Sequence, residues 1–178
     1  MKKGKKLYEG KAKIIYATSD KNLAIQYFKD DATAFNKKKH EIINSKGVLN
    51  NYISEFIFKY LEENGIENHF IKRLNDREQL IKKVEIIPVE VIIRNIAAGT
   101  LTKRLGVEEG SKLKKTLIEF TLKNDDLGDP IVSEEHIEVL EYAKKDEIQE
   151  MKTQALAINK LLLDLFSSIN IQLVDFKI

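Results

Sequence analysis

The segment IIPVEVIIRNIAAGTLTKRLG, Ile86 to Gly106, is the most informative part of this chain. Its centre predicts a strand from Val89 to Arg94, because Pro88 ends any preceding helix and β-branched residues follow. Side chains alternate between the faces of a strand, so Glu90 and Arg94 share one face of an otherwise apolar element. An unpaired buried charge is costly. The two charges are therefore expected to pair, to reach solvent in a cleft, or to hold a ligand.

The turn after this strand has a composition that suits phosphate. Ala97 to Thr100 (AAGT) carries little side-chain bulk, which lets a ligand or another backbone come close, and Lys103 and Arg104 follow. Arginine binds phosphate bidentately, and a hydroxyl with backbone N–H groups completes the shell. A second interpretation is equally compatible with the spacing: an internal Glu90–Arg94 ion pair followed by an ordinary turn.

The composition limits the class of protein. The 178 residues, 43% hydrophobic and 33% charged, suffice for one domain or for two small lobes that share a cleft. The 30 basic and 28 acidic residues predict neither a nucleic-acid-binding nor a membrane-binding surface. Absence of cysteine excludes disulfides and thiolate chemistry, and the three histidines are widely spaced. No apolar run approaches a membrane span or a signal core, so a cytoplasmic protein is expected.

The amino-terminal segment LYEGKAKIIY, Leu7 to Tyr16, predicts a hairpin. Gly10 separates two apolar and aromatic runs, so two strands joined by a glycine-containing turn are expected, with Lys11 and Lys13 on one face. Backbone N–H groups and lysines of such a hairpin suit nucleotide phosphates. A lone glycine hairpin more often has no ligand, and both interpretations stay open.

The segments up to the central strand predict further strands and one long helix. Leu23 to Phe28 is typical of a strand, Asp30 to Lys39 of an exposed loop, and Gly47 to Asn64 of a helix whose apolar stripe belongs to the core. A second hairpin is expected between His69 and Ile87. Lys82 and its neighbour point to opposite faces of this hairpin, so one of them is expected to face a cleft.

Acidic residues follow the carboxy-terminal strands. The strand Thr116 to Lys123 runs into Asn124 to Pro130 (NDDLGDP), whose carboxylates suit either a magnesium ion or a plain surface turn. In the last segment, Ile171 to Ile178, Asp175 and Lys177 share a strand face. The chain stops inside this strand pattern, which we interpret as a chain cut short.

Five segments occur in a characteristic order and spacing: LYEGKAKIIY, KGVLNN (Lys46 to Asn51), IPVEVIIRNIAAGTLTKRLG, LKNDDLGDP (Leu122 to Pro130) and VDFK (Val174 to Lys177). Together they resemble the SAICAR synthetase family of de novo purine synthesis. The resemblance extends over essentially the whole chain. The central segment is specific to the family, whereas LYEGKAK and VDFK are weak motifs alone.

The resemblance implies an α+β fold of two lobes with mainly antiparallel sheets and an ATP cleft between them, loosely like ATP-grasp enzymes and protein kinases. Residues 1–85 are expected to form a β-rich nucleotide-binding lobe, and residues 86–178 a substrate lobe that is incomplete at its carboxy end. The implied reaction joins L-aspartate to the carboxylate of carboxyaminoimidazole ribotide (CAIR). It consumes ATP through an acyl phosphate and requires Mg²⁺. A cytoplasmic homodimer is implied as well.

The resemblance also assigns site residues. Those expected to contact ATP are Gly10, Lys11, Ala12, Lys13, Lys82 and Lys123. Those expected to bind the ribotide are Arg94, Ala98, Gly99, Thr100, Lys103 and Arg104, with Thr100 standing where the family more often has serine. The expected catalytic residues are Glu90, Asp175 and Lys177, and the expected metal ligands are Asp129 and Asp175.

One departure from the family pattern opens an alternative. Members continue after VDFK with an EFG segment, a DEISPD-like segment whose acid binds magnesium, and a helix. This chain ends at Ile178. The alternative is an inactive fragment or a non-catalytic nucleotide-binding module of the same fold. A kinase-like phosphotransferase would need HRD and DFG segments, and the sequence contains neither.

Overall fold

The computed structural model describes residues 2–34 and 39–178 as two compact units. The first unit ends at Ile86, and the second runs from Ile87 to Ile178. Both units combine helices with antiparallel sheets, which confirms the predicted α+β class. Among these described residues, no helix has both the length and the apolar character needed to cross a membrane.

The first unit is built around an antiparallel sheet. In chain order its elements are β1 (Lys6–Glu9), β2 (Lys13–Ala17), β3 (Leu23–Phe28), β4 (Asp31–Ala34), β5 (Lys39–Ile42), α1 (Lys46–Glu63), β6 (Phe70–Asn75) and β7 (Glu78–Lys82). Five strands form one sheet in the order β1-β2-β3-β7-β6, and β4 pairs with β5. The two predicted hairpins are confirmed, because β1 pairs with β2 and β6 with β7.

The loop predicted from Asp30 to Lys39 is wrong in part. Asp31–Ala34 and Lys39–Ile42 pair as two antiparallel strands, while residues 35–38 lie outside the described part of the chain. The charges of this segment suggested a loop. A two-stranded ribbon satisfies its own backbone hydrogen bonds, however, so it needs no apolar face to form its ladder.

Helix α1 buries less of its apolar surface than the sequence suggests. Its buried residues are Gly47, Asn51 and Leu61. Leu49 and Phe56, two residues of the apolar stripe that was predicted to belong to the core, are 61% and 59% exposed. The helix carries apolar residues on more than one face, and only one face packs on the sheet. The prediction of a wholly buried apolar stripe is therefore wrong.

An ion pair joins three separate segments at the start of α1. The Asp30 carboxylate accepts hydrogen bonds from Arg77 Nη1 and Nη2, both at 2.8 Å, and from the Gly47 N–H at 2.8 Å. The end of β3, the first turn of α1 and the β6–β7 turn thus meet at one carboxylate. The paired Arg77 guanidinium, followed by the Gly47 N–H, holds the pKa of Asp30 well below its ordinary value.

This ion pair predicts a pH-dependent contribution to stability. Because the folded pKa of Asp30 lies below its unfolded value of about 3.9, the stabilisation is complete above that value and is lost as pH falls below it. Asp30→Asn should lower the urea midpoint at pH 7, and the difference from wild type should shrink toward pH 3. Asp20→Asn, at an exposed turn, is the matched control. A difference that stays constant with pH would contradict the assignment.

The second unit is a four-stranded antiparallel sheet covered by helices. Its elements are β8 (Val89–Ile96), α2 (Thr100–Leu105), β9 (Lys112–Leu122), a 3₁₀ turn (Asp125–Leu127), β10 (Ile131–Val132), α3 (Glu134–Val139), α4 (Lys145–Ser167) and β11 (Asp175–Lys177). The strand order is β10-β9-β8-β11. The strand predicted from Val89 to Arg94 is confirmed and extends to Ile96.

The two faces of β8 have different roles. Val89, Val91 and Ile93 belong to the buried core, together with Ile137 of α3 and Ile148 of α4. Because side chains alternate along a strand, Glu90, Ile92 and Arg94 project from the other face. The apolar face anchors the strand, and the polar face is free to form a site.

Candidate active site

Arg94 lies at the centre of a polar network on that second face of β8. Its side chain is only 6% exposed. Nε donates to Glu119 Oε2 (2.9 Å), and Nη1 donates to Asp175 Oδ2 (2.9 Å) and to the Ala98 carbonyl (3.3 Å). Nη2 donates to the Thr100 hydroxyl (3.1 Å). Four of the five guanidinium N–H groups are therefore used, and one on Nη2 has no acceptor among the described residues.

Strand register explains why Asp175 reaches Arg94. Antiparallel pairing of β11 with β8 sets Asp175 opposite Arg94, and Lys177 opposite Ile92. Residues directly opposite each other project from the same face of a sheet. The alternation in VDFK predicts that Asp175 and Lys177 share a face, and the register shows that this is the face of Glu90 and Arg94.

Glu90 pairs with Lys177 rather than with Arg94. Glu90 Oε2 accepts hydrogen bonds from Lys177 Nζ (2.7 Å) and from the Thr121 hydroxyl (3.3 Å). Arg94 pairs instead with Glu119 and Asp175. The alternative of an internal Glu90–Arg94 pair is therefore wrong. The three predicted catalytic residues, Glu90, Asp175 and Lys177, lie on one face of the sheet.

Glu119 is a member of this network that sequence reasoning missed. It lies on β9, paired with Ile92, and its side chain is 10% exposed. One of its oxygens accepts from Arg94, and the other accepts from Arg104 Nη2. In the sequence Glu119 stands alone in TLIEFTLK. The only indication in the sequence was an acidic residue within the predicted strand Thr116 to Lys123.

The small-residue turn brings its backbone close to Arg94. Ala97 is completely buried, and the Ala98 carbonyl accepts from Arg94. Gly99 has φ +60°, a conformation that favours glycine, and space beside it is open. Thr100 begins helix α2, and Lys103 is exposed on it without an ion-pair partner among the described residues. Of the predicted ribotide-binding residues, Ala98 and Thr100 thus contact the Arg94 guanidinium directly, and Arg104 is joined to it through Glu119.

Asp129 occupies a different place from Asp175. Its Oδ1 accepts from the Asn124 N–H (3.0 Å), and its own N–H donates to the Asn124 carbonyl (3.0 Å). Asp129 belongs to the loop that follows Leu122, and Leu122 pairs with Val89 at the start of β8. Asp175 pairs with Arg94, which lies five residues further along β8. These two positions on β8 are roughly 16 Å apart. Within residues 2–34 and 39–178, no three histidine or acidic side chains converge on a metal position. The structure does not bring the two predicted metal ligands together.

The residues predicted to contact ATP lie mainly in the first unit. The Gly10 N–H donates to the Lys13 carbonyl (2.9 Å), which closes the hairpin turn, and the Ala12 carbonyl accepts from the Lys29 N–H (2.8 Å). Lys11 is half-buried in this turn. Lys82 ends β7 with an exposed side chain, and Lys123 is exposed in the second unit.

Lys13 has an unusual environment for a lysine. Its surface is largely exposed, but its ammonium group packs over the Phe28 ring, 5.3 Å from the centroid. Burial of that end lowers the pKa of Lys13. Burial, and then the nearby ammonium groups of Lys13 and Lys82, lowers the pKa of His69 as well. Two of the four lysines that were predicted to contact ATP, Lys13 and Lys82, are thus both close enough to influence one histidine.

Comparison with known proteins gives a consistent result. The model of the SAICAR synthetase family matches residues 6–178. The phosphoribosylaminoimidazole-succinocarboxamide synthase of Pelagibacter ubique is 60% identical over 178 residues, which are all of this chain and 68% of that protein. The crystal structure of the synthase from Ehrlichia chaffeensis has a TM-score of 0.95 and 53% identity, covering 97% of this chain and 73% of that one. A SAICAR synthetase in complex with ADP has a TM-score of 0.92 and 42% identity, covering 96% and 72%.

Proposed function

Since this chain belongs to the SAICAR synthetase family of ATP-dependent ligases in purine biosynthesis, we propose that the polar face of β8 and β11 is its ribotide site and reaction centre. The observation that supports this most directly is the guanidinium of Arg94. It is buried, held by two carboxylates and a hydroxyl, and keeps one N–H without a described acceptor. Such a group is preorganised to bind an anion.

The phosphate of CAIR binds where Arg94 meets Thr100. The Thr100 oxygen accepts a hydrogen bond from Arg94 Nη2, which leaves the hydroxyl proton to donate elsewhere. The hydroxyl and the remaining Nη2 N–H then contact phosphate oxygens. The narrow Ala98–Gly99 turn lets the phosphate approach the backbone, and the exposed side chain of Lys103 adds positive charge.

The Glu90–Lys177 pair acts at the reacting carboxylate. An oxygen of the CAIR carboxylate attacks the γ-phosphorus of ATP, the bond to the β-phosphate oxygen breaks, and ADP leaves. The amine of L-aspartate then attacks the acyl phosphate, and inorganic phosphate leaves as the amide forms. The Lys177 ammonium, fixed at 2.7 Å by Glu90, neutralises the carboxylate and phosphoryl oxygens. The Glu90 carboxylate accepts the proton that the attacking amine loses.

ATP contacts the glycine turn and lysines of the first unit. The related synthetase in complex with ADP supports nucleotide binding by this fold. In this chain the Gly10–Lys13 turn offers backbone N–H groups, and Lys13 and Lys82 of the same unit offer ammonium groups. Lys123, in the second unit, stays a predicted ATP contact. Lys13 has no ion pair with a carboxylate in the described part of the chain, so its charge is available to a phosphate.

Asp175 fits a role as the protein ligand of Mg²⁺. One of its oxygens accepts from Arg94, its side chain is 40% exposed, and the other oxygen accepts no hydrogen bond from the described residues. Magnesium in such sites is held by one or two carboxylates together with substrate phosphates. A magnesium ion held by Asp175 would supply positive charge for phosphoryl transfer. Asp129 uses its carboxylate to close a loop and does not share this position.

We further propose a cytoplasmic homodimer, an assignment that rests on the family alone. Sedimentation equilibrium of the purified chain tests the oligomeric state directly. A concentration-independent monomer mass would contradict it.

ADP formation is the direct test of the proposed reaction. The purified chain is incubated with ATP-magnesium, CAIR and L-aspartate, and CAIR and L-aspartate are omitted in turn. ADP formation that requires both substrates is the expected result. ATP binding without any ADP formation would instead favour the non-catalytic nucleotide-binding module.

A further inference from the structure

We propose that Glu119 is a positioning residue of the ribotide-phosphate site, which holds the guanidinium groups of Arg94 and Arg104 in fixed relation to each other. The inference rests on the proposed function, because it presumes that the ribotide phosphate binds beside Arg94. It adds a residue that acts only through the two arginines and that contacts no substrate atom.

The contacts of Glu119 differ from those of an ordinary ion pair. Each of its two oxygens serves a different arginine: Oε2 accepts from Arg94 Nε at 2.9 Å, and Oε1 accepts from Arg104 Nη2. The carboxylate is rigid and planar, so it fixes the separation of the two guanidinium groups. Its side chain is 10% exposed, which keeps water from replacing either contact easily.

Each arginine needs this partner for a different reason. Glu119 accepts a hydrogen bond from Arg94 Nε. This contact fixes the plane of the Arg94 guanidinium, whose Nη2 lies beside Thr100. Arg104 stands on the short helix α2 with its side chain 35% exposed. A long side chain at such a position samples many rotamers unless it is tethered, and ordering it would weaken ligand binding.

Charge and position predict opposite effects of removing this carboxylate. Glu119 brings a negative charge near the proposed phosphate position. If charge alone mattered, neutralising Glu119 would strengthen phosphate binding. If Glu119 positions the arginines, neutralising it releases the Arg104 side chain and lets the Arg94 guanidinium rotate. Phosphate binding then becomes weaker. The sign of the change therefore separates the two explanations.

The experiment measures direct binding, so it does not depend on turnover. The chain is titrated calorimetrically with the ribotide SAICAR and with the corresponding riboside, which lacks the phosphate. Glu119→Gln should raise the Kd of the ribotide about tenfold and leave the Kd of the riboside unchanged. Glu119→Asp keeps the charge but is one methylene too short to serve both arginines, and it should also weaken ribotide binding. Glu109→Gln, at an exposed position, is the matched control.

A double-mutant cycle tests whether Glu119 acts through Arg104. The effects of Glu119→Gln and Arg104→Gln on ribotide binding should be clearly less than additive. Unchanged or tighter ribotide binding by Glu119→Gln would overturn the positioning role. Equal weakening of ribotide and riboside would do the same, because it indicates a general structural defect. A wild-type chain that binds the riboside as well as the ribotide would overturn the phosphate site itself.

Discussion

Replacing Arg94 by lysine should raise the Kd of the ribotide about 100-fold or more, while ATP binding stays near the wild-type value. Arginine reaches Glu119, Asp175 and Thr100 with one planar fork, and lysine offers a single point charge. One lysine ammonium cannot donate hydrogen bonds to these three residues and to a phosphate at the same time. The phosphate then loses its hydrogen bond from Arg94 Nη2 and the one from the Thr100 hydroxyl that Arg94 orients. Each is worth about 1.5–3 kcal/mol, which accounts for a change of this size. Calorimetric titration with ribotide and with ATP measures both quantities.

Lysine is preferred to alanine here because of the burial of Arg94. Alanine would remove the Arg94 guanidinium from the Glu119 carboxylate, whose side chain is only 10% exposed. Breaking a buried ion pair in this way costs about 3–5 kcal/mol in stability. Arg73→Lys is the matched control, since Arg73 is also an arginine paired with a glutamate but lies in the first unit. Ribotide affinity within threefold of wild type in Arg94→Lys would contradict the assignment of Arg94 to the phosphate.

Local patterns predicted most of the secondary structure but few of the site contacts. The strand at Val89 and the helix from Lys46 to Glu63 follow from Pro88, from β-branched residues and from apolar spacing, all of which are read within one segment. The contact between Arg94 and Asp175 spans 81 residues and depends on how β11 registers against β8. No local pattern contains that register.

The failure to predict Glu119 and the incorrect Glu90–Arg94 ion pair have the same cause. Glu119 belongs to the site only because β9 pairs with β8 so that Glu119 stands opposite Ile92, diagonal to Arg94. The Glu90–Arg94 pair was considered because both charges share a face, whereas each of them in fact pairs with residues of neighbouring strands. Alternation tells which face a side chain occupies. Distances along and across the sheet decide which side chains can meet.

The motif KGVLNN (Lys46 to Asn51) illustrates a further limit, because the structure gives it a packing role. Gly47 is buried at the first turn of α1. A Cβ added there would lie 2.5 Å from the Phe28 carbonyl oxygen and 2.8 Å from Arg77 Nη1. Asn51, one turn later, donates to the Asn75 carbonyl (2.8 Å), and its backbone carbonyl accepts from Gln79 (2.9 Å). This motif therefore fixes α1 against the sheet of the first unit.

Gly47→Ala should consequently lower the free energy of unfolding by about 3 kcal/mol, measured by urea titration with circular dichroism. The methyl group must push against the backbone of β3 and against the guanidinium that holds Asp30, so the Asp30–Arg77 pair weakens at the same time. Helix propensity predicts the opposite sign, since alanine is favoured over glycine inside a helix by about 0.5–1 kcal/mol.

Gly10→Ala is the matched control for this glycine substitution. The atoms nearest to a Cβ at Gly10 belong to the ring of Tyr8, at 3.2 Å, and Tyr8 is 65% exposed and free to move. The control should therefore change stability by less than about 1 kcal/mol. If Gly47→Ala were as stable as wild type or more stable, helix propensity would outweigh the close approach of α1 to β3. Gly47 would then need a role other than packing, and the Asp30–Arg77 pair could no longer be regarded as the point where the three segments are held together.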